Sequence, residues 1–195
     1  MFYDLIKISI EIFTRIFFRL EVKGLENIPP RGGVILAANH RSYLDPPLVA
    51  LRVPRRCTFL SKTVLYRNPV GRVVVKSVGL IPLRQQRGAT GMMGAARSLQ
   101  KGKPLVLFPE GTRNITRKPF LPGKPGVSLL AEGSGAPVVP VYLEGADRAL
   151  PCRAMIFRPV AIKIIYGKPL TFSGEGYGEF AEKVMAAIAR LKTTD

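Results

Sequence analysis

The sequence predicts an α/β fold: a single domain with a mostly parallel central sheet flanked by helices, preceded by an N-terminal amphipathic helix. Three observations carry that expectation. Short apolar runs alternate with Gly, Pro and helical segments, the pattern of strands joined by crossover helices. At 195 residues the chain suits one compact core and is too short for two full domains and a linker. Hydrophobic residues make up 47% of it, which excludes a disordered basic tail.

Met1 to Leu20 comes first. Asp4, Lys7, Glu11, Arg15 and Arg19 recur at helical spacing on one side, while Phe2, Leu5, Ile6, Ile12, Phe13, Ile16 and Phe17 take the other. Charges at that density exclude a membrane span, since each one near a bilayer centre costs about 2.5–3.5 kcal/mol. No run of small residues follows that would mark signal cleavage. Two readings stay open: the helix lies on a membrane surface, or it caps the protein's own core. Residues 1–20 are thus set apart from a domain over 21–195.

Strands are expected at Val34–Asn39, Thr58–Ser61, Gly79–Leu83, Leu105–Pro109, Val138–Leu143 and Ala161–Tyr166. Helices are expected at Pro47–Leu51, Val70–Ser77, Ala89–Gln100 and Val127–Ala131, with an amphipathic one at Glu179–Lys192 closing the chain. No repeats or low-complexity tracts interrupt this order. Ligand-binding motifs are expected in the loops at the strand ends, because open α/β sheets bind outside the carboxyl ends of their strands.

Lys and Arg total 30 against 13 acidic residues, a formal net charge of +17. That excess suits phosphates, anionic lipid surfaces or acidic proteins. From Pro46 to Pro109 there is no acidic residue, yet twelve cations from Arg52 to Lys103 fall there, which suggests a positive field around a cleft or on a membrane-facing surface. Cys57 and Cys152 form no CxxC pair and have a single histidine to join, so neither a zinc site nor a disulfide framework is expected and a reducing cytosol fits. There is no tryptophan, and the aromatics do not interleave with the basic stretch, so nucleic acid is not an expected partner.

The one histidine, His40, lies in Asn39-His40-Arg41-Ser42-Tyr43-Leu44-Asp45. A histidine beside an acid that orients it is the best general-base candidate a sequence offers. On a regular helix the two side chains would be about 140° apart, so a turn must intervene; Pro46 and Pro47 start a helix at Asp45 and leave His40 on the preceding loop. Folded back, Asp45 would hold one ring nitrogen and leave the other to substrate, the histidine and acid half of a triad. The plainer reading is a helix cap beside an ordinary loop histidine. Further on, Phe108-Pro109-Glu110-Gly111-Thr112-Arg113 ends an apolar strand with a glycine that admits close backbone approach and an arginine that grips phosphate in pairs. It too could be a structural turn.

Together these residues resemble the glycerophospholipid acyltransferases typified by lysophosphatidate acyltransferase. NHxxxxD is met by Asn39 through Asp45, GxIxxR by Gly79 through Arg84, FPEGTR in full from Phe108 to Arg113, and an apolar strand with central proline by Val139-Pro140-Val141. The resemblance implies His40 and Asp45 as the catalytic dyad. It implies acceptor binding by Arg84, Glu110, Gly111, Thr112 and Arg113, with Lys62 and Lys124 adding phosphate contacts and Pro140 shaping the acyl-donor side. It implies transfer of a fatty acyl group from an acyl carrier protein or coenzyme A thioester, co-substrates and not bound cofactors, to the sn-2 hydroxyl of 1-acylglycerol 3-phosphate. No metal is expected. Ser42, Cys57 and Cys152 are conceivable acyl-carrying nucleophiles, but nothing near the cysteines looks like an activating base, and with thiolate as leaving group no covalent intermediate is needed. Glycerol 3-phosphate, another lysophospholipid or a lyso-aminolipid are the alternative acceptors, and charge alone would also suit a non-catalytic basic module for anionic lipid or nucleic acid. A peripheral, monotopic place on the cytoplasmic face of the cell membrane is expected, although a single N-terminal helix precedes the first block where some relatives have a longer hydrophobic lead.

Overall fold

The computed structural model describes residues 2–62, 80–83, 88–151 and 156–193. Its elements run α1 (Phe2–Phe17), β1 (Arg19–Lys23), a 3-10 turn (Leu25–Asn27), β2 (Val34–Ala38), α2 (Asp45–Leu51), β3 (Thr58–Lys62) and β4 (Leu80–Leu83). They continue with α3 (Gly88–Gln100), β5 (Pro104–Leu107), α4 (Gly126–Ser134), β6 (Val138–Glu144), α5 (Ala146–Ala149), β7 (Ala161–Tyr166) and α6 (Tyr177–Leu191). The expected helix at Val70–Ser77 and residues Arg84 and Cys152 lie outside the described residues.

The described strands form one sheet in the order β1-β7-β6-β2-β5-β3-β4. Every neighbouring pair is parallel except β6 with β7. Because helices cover both faces, the central strands are apolar throughout and do not alternate; Val-Ile-Leu-Ala-Ala of β2 is buried at all five positions. Val34, Leu36 and Ala38 pack with Leu48, Val49 and Leu51 of α2 on one face. Ile35 and Ala37 pack with Leu130 of α4 and Phe180 and Val184 of α6 on the other.

This arrangement positions the site. β2 and β5 are adjacent and parallel, yet the helix after β2 covers one face and the helix after β5 covers the other. Their loops diverge, opening a crevice at the carboxyl end of the sheet, the topological switch point of an α/β fold. At the opposite end, the guanidinium of Arg55 donates to the carbonyls of Pro29, Gly32 and Gly102, tying the loops before β2 and β5 together.

One boundary moves. The helix stops at Phe17, Phe18 is buried in the core, and Arg19–Lys23 is an edge strand in register with Ala161–Ile165 of β7. Residues 19 and 20 therefore belong to the sheet, and a unit ending at Leu20 would cut a strand. Helix α1 also divides its faces. Thr14 is buried, Phe13 packs on the core and Glu11 pairs with Arg52 at 3.0 Å. Leu5, Ile8, Ile12 and Ile16 form a stripe at i, i+3 and i+4 spacing and are 56%, 53%, 54% and 74% exposed. No helix among the described residues is long and apolar enough to cross a membrane.

Candidate active site

The first polar loop leaves β2 at Asn39, which is buried. Its side-chain amide donates to the carbonyl of Leu143 at 2.9 Å, and its side-chain oxygen accepts the Leu143 N–H at 2.8 Å. The side chain thus continues the β2–β6 ladder one step beyond the backbone pairing, which sets where His40 emerges. Asp45 opens α2, with Pro46 and Pro47 in the first turn where their missing N–H groups cost nothing. From there its Oδ2 accepts three hydrogen bonds, from the N–H groups of Arg41 and Ser42 at 2.6 and 2.7 Å and from His40 Nδ1 at 2.8 Å. Asp45 is the first residue of α2, and its carboxylate serves the histidine and the loop before the helix while capping none of the helix's own N–H groups. The geometry thus matches the histidine-partner reading of this spacing and not the helix-cap reading. The imidazole stacks on Phe108 with ring centroids 4.0 Å apart, which fixes its plane.

The second loop leaves β5 and grips the first. Glu110 is 1% exposed, and its carboxylate bridges two backbone donors, the N–H of His40 at 2.9 Å and that of Leu121 at 3.0 Å. Asn114 donates its N–H to the His40 carbonyl at 2.6 Å. Both backbone polar groups of His40 are thus held by the loop after β5. Burial pushes the Glu110 carboxyl above its ordinary value, and the N–H groups of His40 and Leu121, with the charges of His40 and Arg41, only partly oppose it.

Gly111 has φ +68°, and a side chain there would meet Lys124, whose Nζ lies 2.9 Å from the position a Cβ would take. Only glycine leaves room for that ammonium. Arg113 lies over the exposed ring of Tyr43, 3.6 Å from its centroid, and donates to the Tyr43 hydroxyl at 2.8 Å. Thr112 is exposed beside it.

The structure therefore brings His40, Asp45, Glu110, Gly111, Thr112, Arg113 and Lys124 together. Two of the expected residues are buried. Glu110 is enclosed, and its carboxylate holds the backbone N–H groups of His40 and Leu121. Pro140 is in phase with Val138 and Tyr142, on the face covered by α6, where its ring approaches Gly167 and Leu191. His40 lies with Phe108 on the α2 side of the sheet. Lys62 ends β3, and Arg84 lies outside the described residues. Asn39, Tyr43 and Asn114 were not expected as site residues. Asn114 carried a local signal in Asn114-Ile115-Thr116: its side-chain oxygen accepts from both the N–H and the hydroxyl of Thr116, a short polar turn.

These features describe an α/β domain with a carboxylate-oriented histidine at the switch point of its sheet, next to a cationic loop. The family model described as Acyltransferase matches residues 19–144, and the chain belongs to that family. It is similar to the 1-acyl-sn-glycerol-3-phosphate acyltransferase BAT2 of Brassica napus, 29% identical over 83% of this chain and 47% of that protein. It is also similar to the lyso-ornithine lipid O-acyltransferase of Pseudomonas aeruginosa, 33% identical over 43% of this chain and 32% of that one. The crystal structure of the 1-acyl-sn-glycerophosphate acyltransferase PlsC from Thermotoga maritima superposes with a TM-score of 0.80 at 26% identity, covering 100% of this chain and 80% of that one. The chain spans about half the length of the curated plant relatives it matches.

Proposed function

We propose that this chain transfers a fatty acyl group from an acyl thioester to the sn-2 hydroxyl of 1-acylglycerol 3-phosphate, forming phosphatidic acid for phospholipid synthesis. The observation that carries the reading is the 2.8 Å contact between His40 Nδ1 and Asp45 Oδ2 in a crevice shared with the Glu110–Arg113 loop. With Nδ1–H donated to the carboxylate, Nε2 presents its lone pair to the acceptor hydroxyl. As that oxygen attacks the thioester carbonyl, Nε2 takes its proton and Asp45 faces the imidazolium that forms. Collapse of the tetrahedral intermediate expels the thiolate, which recovers the proton from Nε2. Thiolate leaves readily, so no acyl-enzyme is required.

Arg113 and Lys124 meet the acceptor phosphate, and Glu110 and Asn114 keep the base in place from behind. No metal or bound cofactor takes part; coenzyme A and acyl carrier protein are both donors the basic surface suits. The unpartnered aliphatic stripe of α1 rests on the cytoplasmic membrane surface, where the two-tailed product is released. A second acceptor class is favoured by one specific observation, the similarity to an enzyme named for lyso-ornithine lipid.

Purified protein supplied with an acyl thioester and a panel of acceptors tests this reading. Lysophosphatidate should be acylated at a kcat/KM at least about tenfold above lyso-ornithine lipid, the ratio that 1.4 kcal/mol of phosphate recognition gives, and above glycerol 3-phosphate, which shares the phosphate but lacks the sn-1 acyl chain. Equal use of a lyso-aminolipid would reassign the acceptor, and no transfer to any of them would remove the activity.

A further inference from the structure

Two anionic substrates must meet at His40 in the reaction proposed above, and the structure holds two separate cationic surfaces beside it. One is Arg113 with Lys124. The other is a cleft of about 450 Å³ at the carboxyl ends of β2 and β6, whose wall includes Asn39 and Arg41, the residues flanking His40 in the chain.

Arg41, Arg117, Arg148 and Lys192 bring four cations to this cleft from four different parts of the chain. Its two carboxylates are already engaged: Asp147 accepts from Arg41 at 3.0 Å, and Glu144 lies 3.9 Å from Arg148. Arg117 and Lys192 are exposed and have no carboxylate partner among the described residues. Phe120 and Tyr142 meet edge to face between these cations and give the cleft an apolar wall. A volume of this order suits a small organic ligand with a charged end and a less polar body. The backbone carbonyl of Lys118 accepts from Arg41 Nη1 at 3.1 Å, which holds the Arg117 segment against the dyad loop.

We propose that this cleft takes the phosphopantetheine arm of the acyl donor, its phosphate between Arg117 and Lys192 and its amides along Phe120 and Tyr142. The proposal rests on the acyl-transfer reading above. The arm is the chemistry that coenzyme A and acyl carrier protein share, and it is long and flexible enough for its sulfur to cross the Asn39–Arg41 loop to His40. Two cationic surfaces then divide the work: Arg113 and Lys124 for the acceptor, the cleft for the donor.

The test compares acyl-phosphopantetheine with acyl-pantetheine, which lacks the phosphate, as donors for the wild type and for Arg117→Glu, Lys192→Glu and the double variant. Lys101→Glu, at the other end of the sheet, controls for net charge. Wild type should prefer the phosphorylated donor by about tenfold or more, the size of one charge-assisted contact. The double variant should lose that preference, with the KM for lysophosphatidate changed less than about twofold. Acyl-coenzyme A and acyl carrier protein thioesters should suffer alike. The proposal is overturned if the preference survives in the double variant, or if the acceptor KM rises in place of the donor KM. A defect confined to coenzyme A also overturns it, since the cleft would then bind the nucleotide. In each of those cases wild-type turnover leaves the acyl-transfer reading standing, whereas a wild type that transfers no acyl group from any thioester removes both.

Discussion

Glu110 shows how a residue's role can depend on the direction of its side chain. Enclosed behind the dyad loop, its carboxylate accepts the N–H groups of His40 and Leu121. Glu110→Ala should strand both donors and lower stability by about 1–3 kcal/mol for each, measured by urea unfolding. It should reduce kcat more than it raises either KM. The folded carboxyl titrates above its ordinary value of 4.5, so the folded state binds the proton more tightly than the unfolded one. Its contribution is greatest below that ordinary value and is lost as pH rises through the raised one. The stability of wild type relative to Glu110→Gln should therefore fall as pH rises across that window, and a difference flat in pH would refute the raised value. Tyr43 is the platform for Arg113. Tyr43→Ala should raise the KM for the phosphorylated acceptor about two- to fivefold, the range of an exposed cation–π contact, with the donor KM unmoved. Tyr43→Phe keeps the ring, so its effect should be smaller. The identities of His40 and Asp45 were legible because their chemistry shows in a single short run, with proline at its end. The roles of Glu110 and Tyr43 were not, because nothing in a sequence states whether a loop side chain points inward or across to another loop.

At the scale of elements, strands β2 and β4 to β7 are legible because each is a largely aliphatic run bounded by breakers or polar residues, and β3 because Phe59 and Leu60 form a short apolar core between polar ends. β1 is not. Arg19-Leu20-Glu21-Val22-Lys23 alternates charge with apolar side chains, as an exposed edge strand does, and its first two residues continue the amphipathic pattern of α1. The clue was the switch to period two at Leu20 and Val22. Helix α1 fits neither expectation alone, since Phe13 packs on the core while Leu5, Ile8, Ile12 and Ile16 face outward. Deleting residues 1–20 would remove the buried Phe18 and part of β1, so substitution is the cleaner experiment. Changing the four exposed aliphatics to Ser should weaken sedimentation with anionic vesicles by at least about tenfold, because about 1 kcal/mol per half-exposed side chain is forfeited. Thermal unfolding should be nearly unchanged, and a short-chain soluble acceptor should still be used. Unaltered vesicle binding would move the membrane contact to another surface.

Across the whole molecule, the sheet order does what no single motif shows. His40 and Glu110 are far apart in sequence, and they meet because β2 and β5 are neighbours whose helices leave to opposite faces. Alternating strands and helices made a mostly parallel sheet legible; the order of strands within it depends on which helix covers which face, and that is decided by packing across the completed core. For the same reason Arg41, Arg117, Arg148 and Lys192, spread along the chain, become one surface only after folding. His40 as the base that draws the proton from the acceptor hydroxyl is tested most directly by the single-turnover rate of acyl transfer to lysophosphatidate by His40→Ala. The loop position of His40 leaves the core intact, so the variant should fold with wild-type cooperativity and transfer acyl groups about 10²–10⁴-fold more slowly, the range of positioned proton transfer. A folded His40→Ala protein that turned over at the wild-type rate would contradict it.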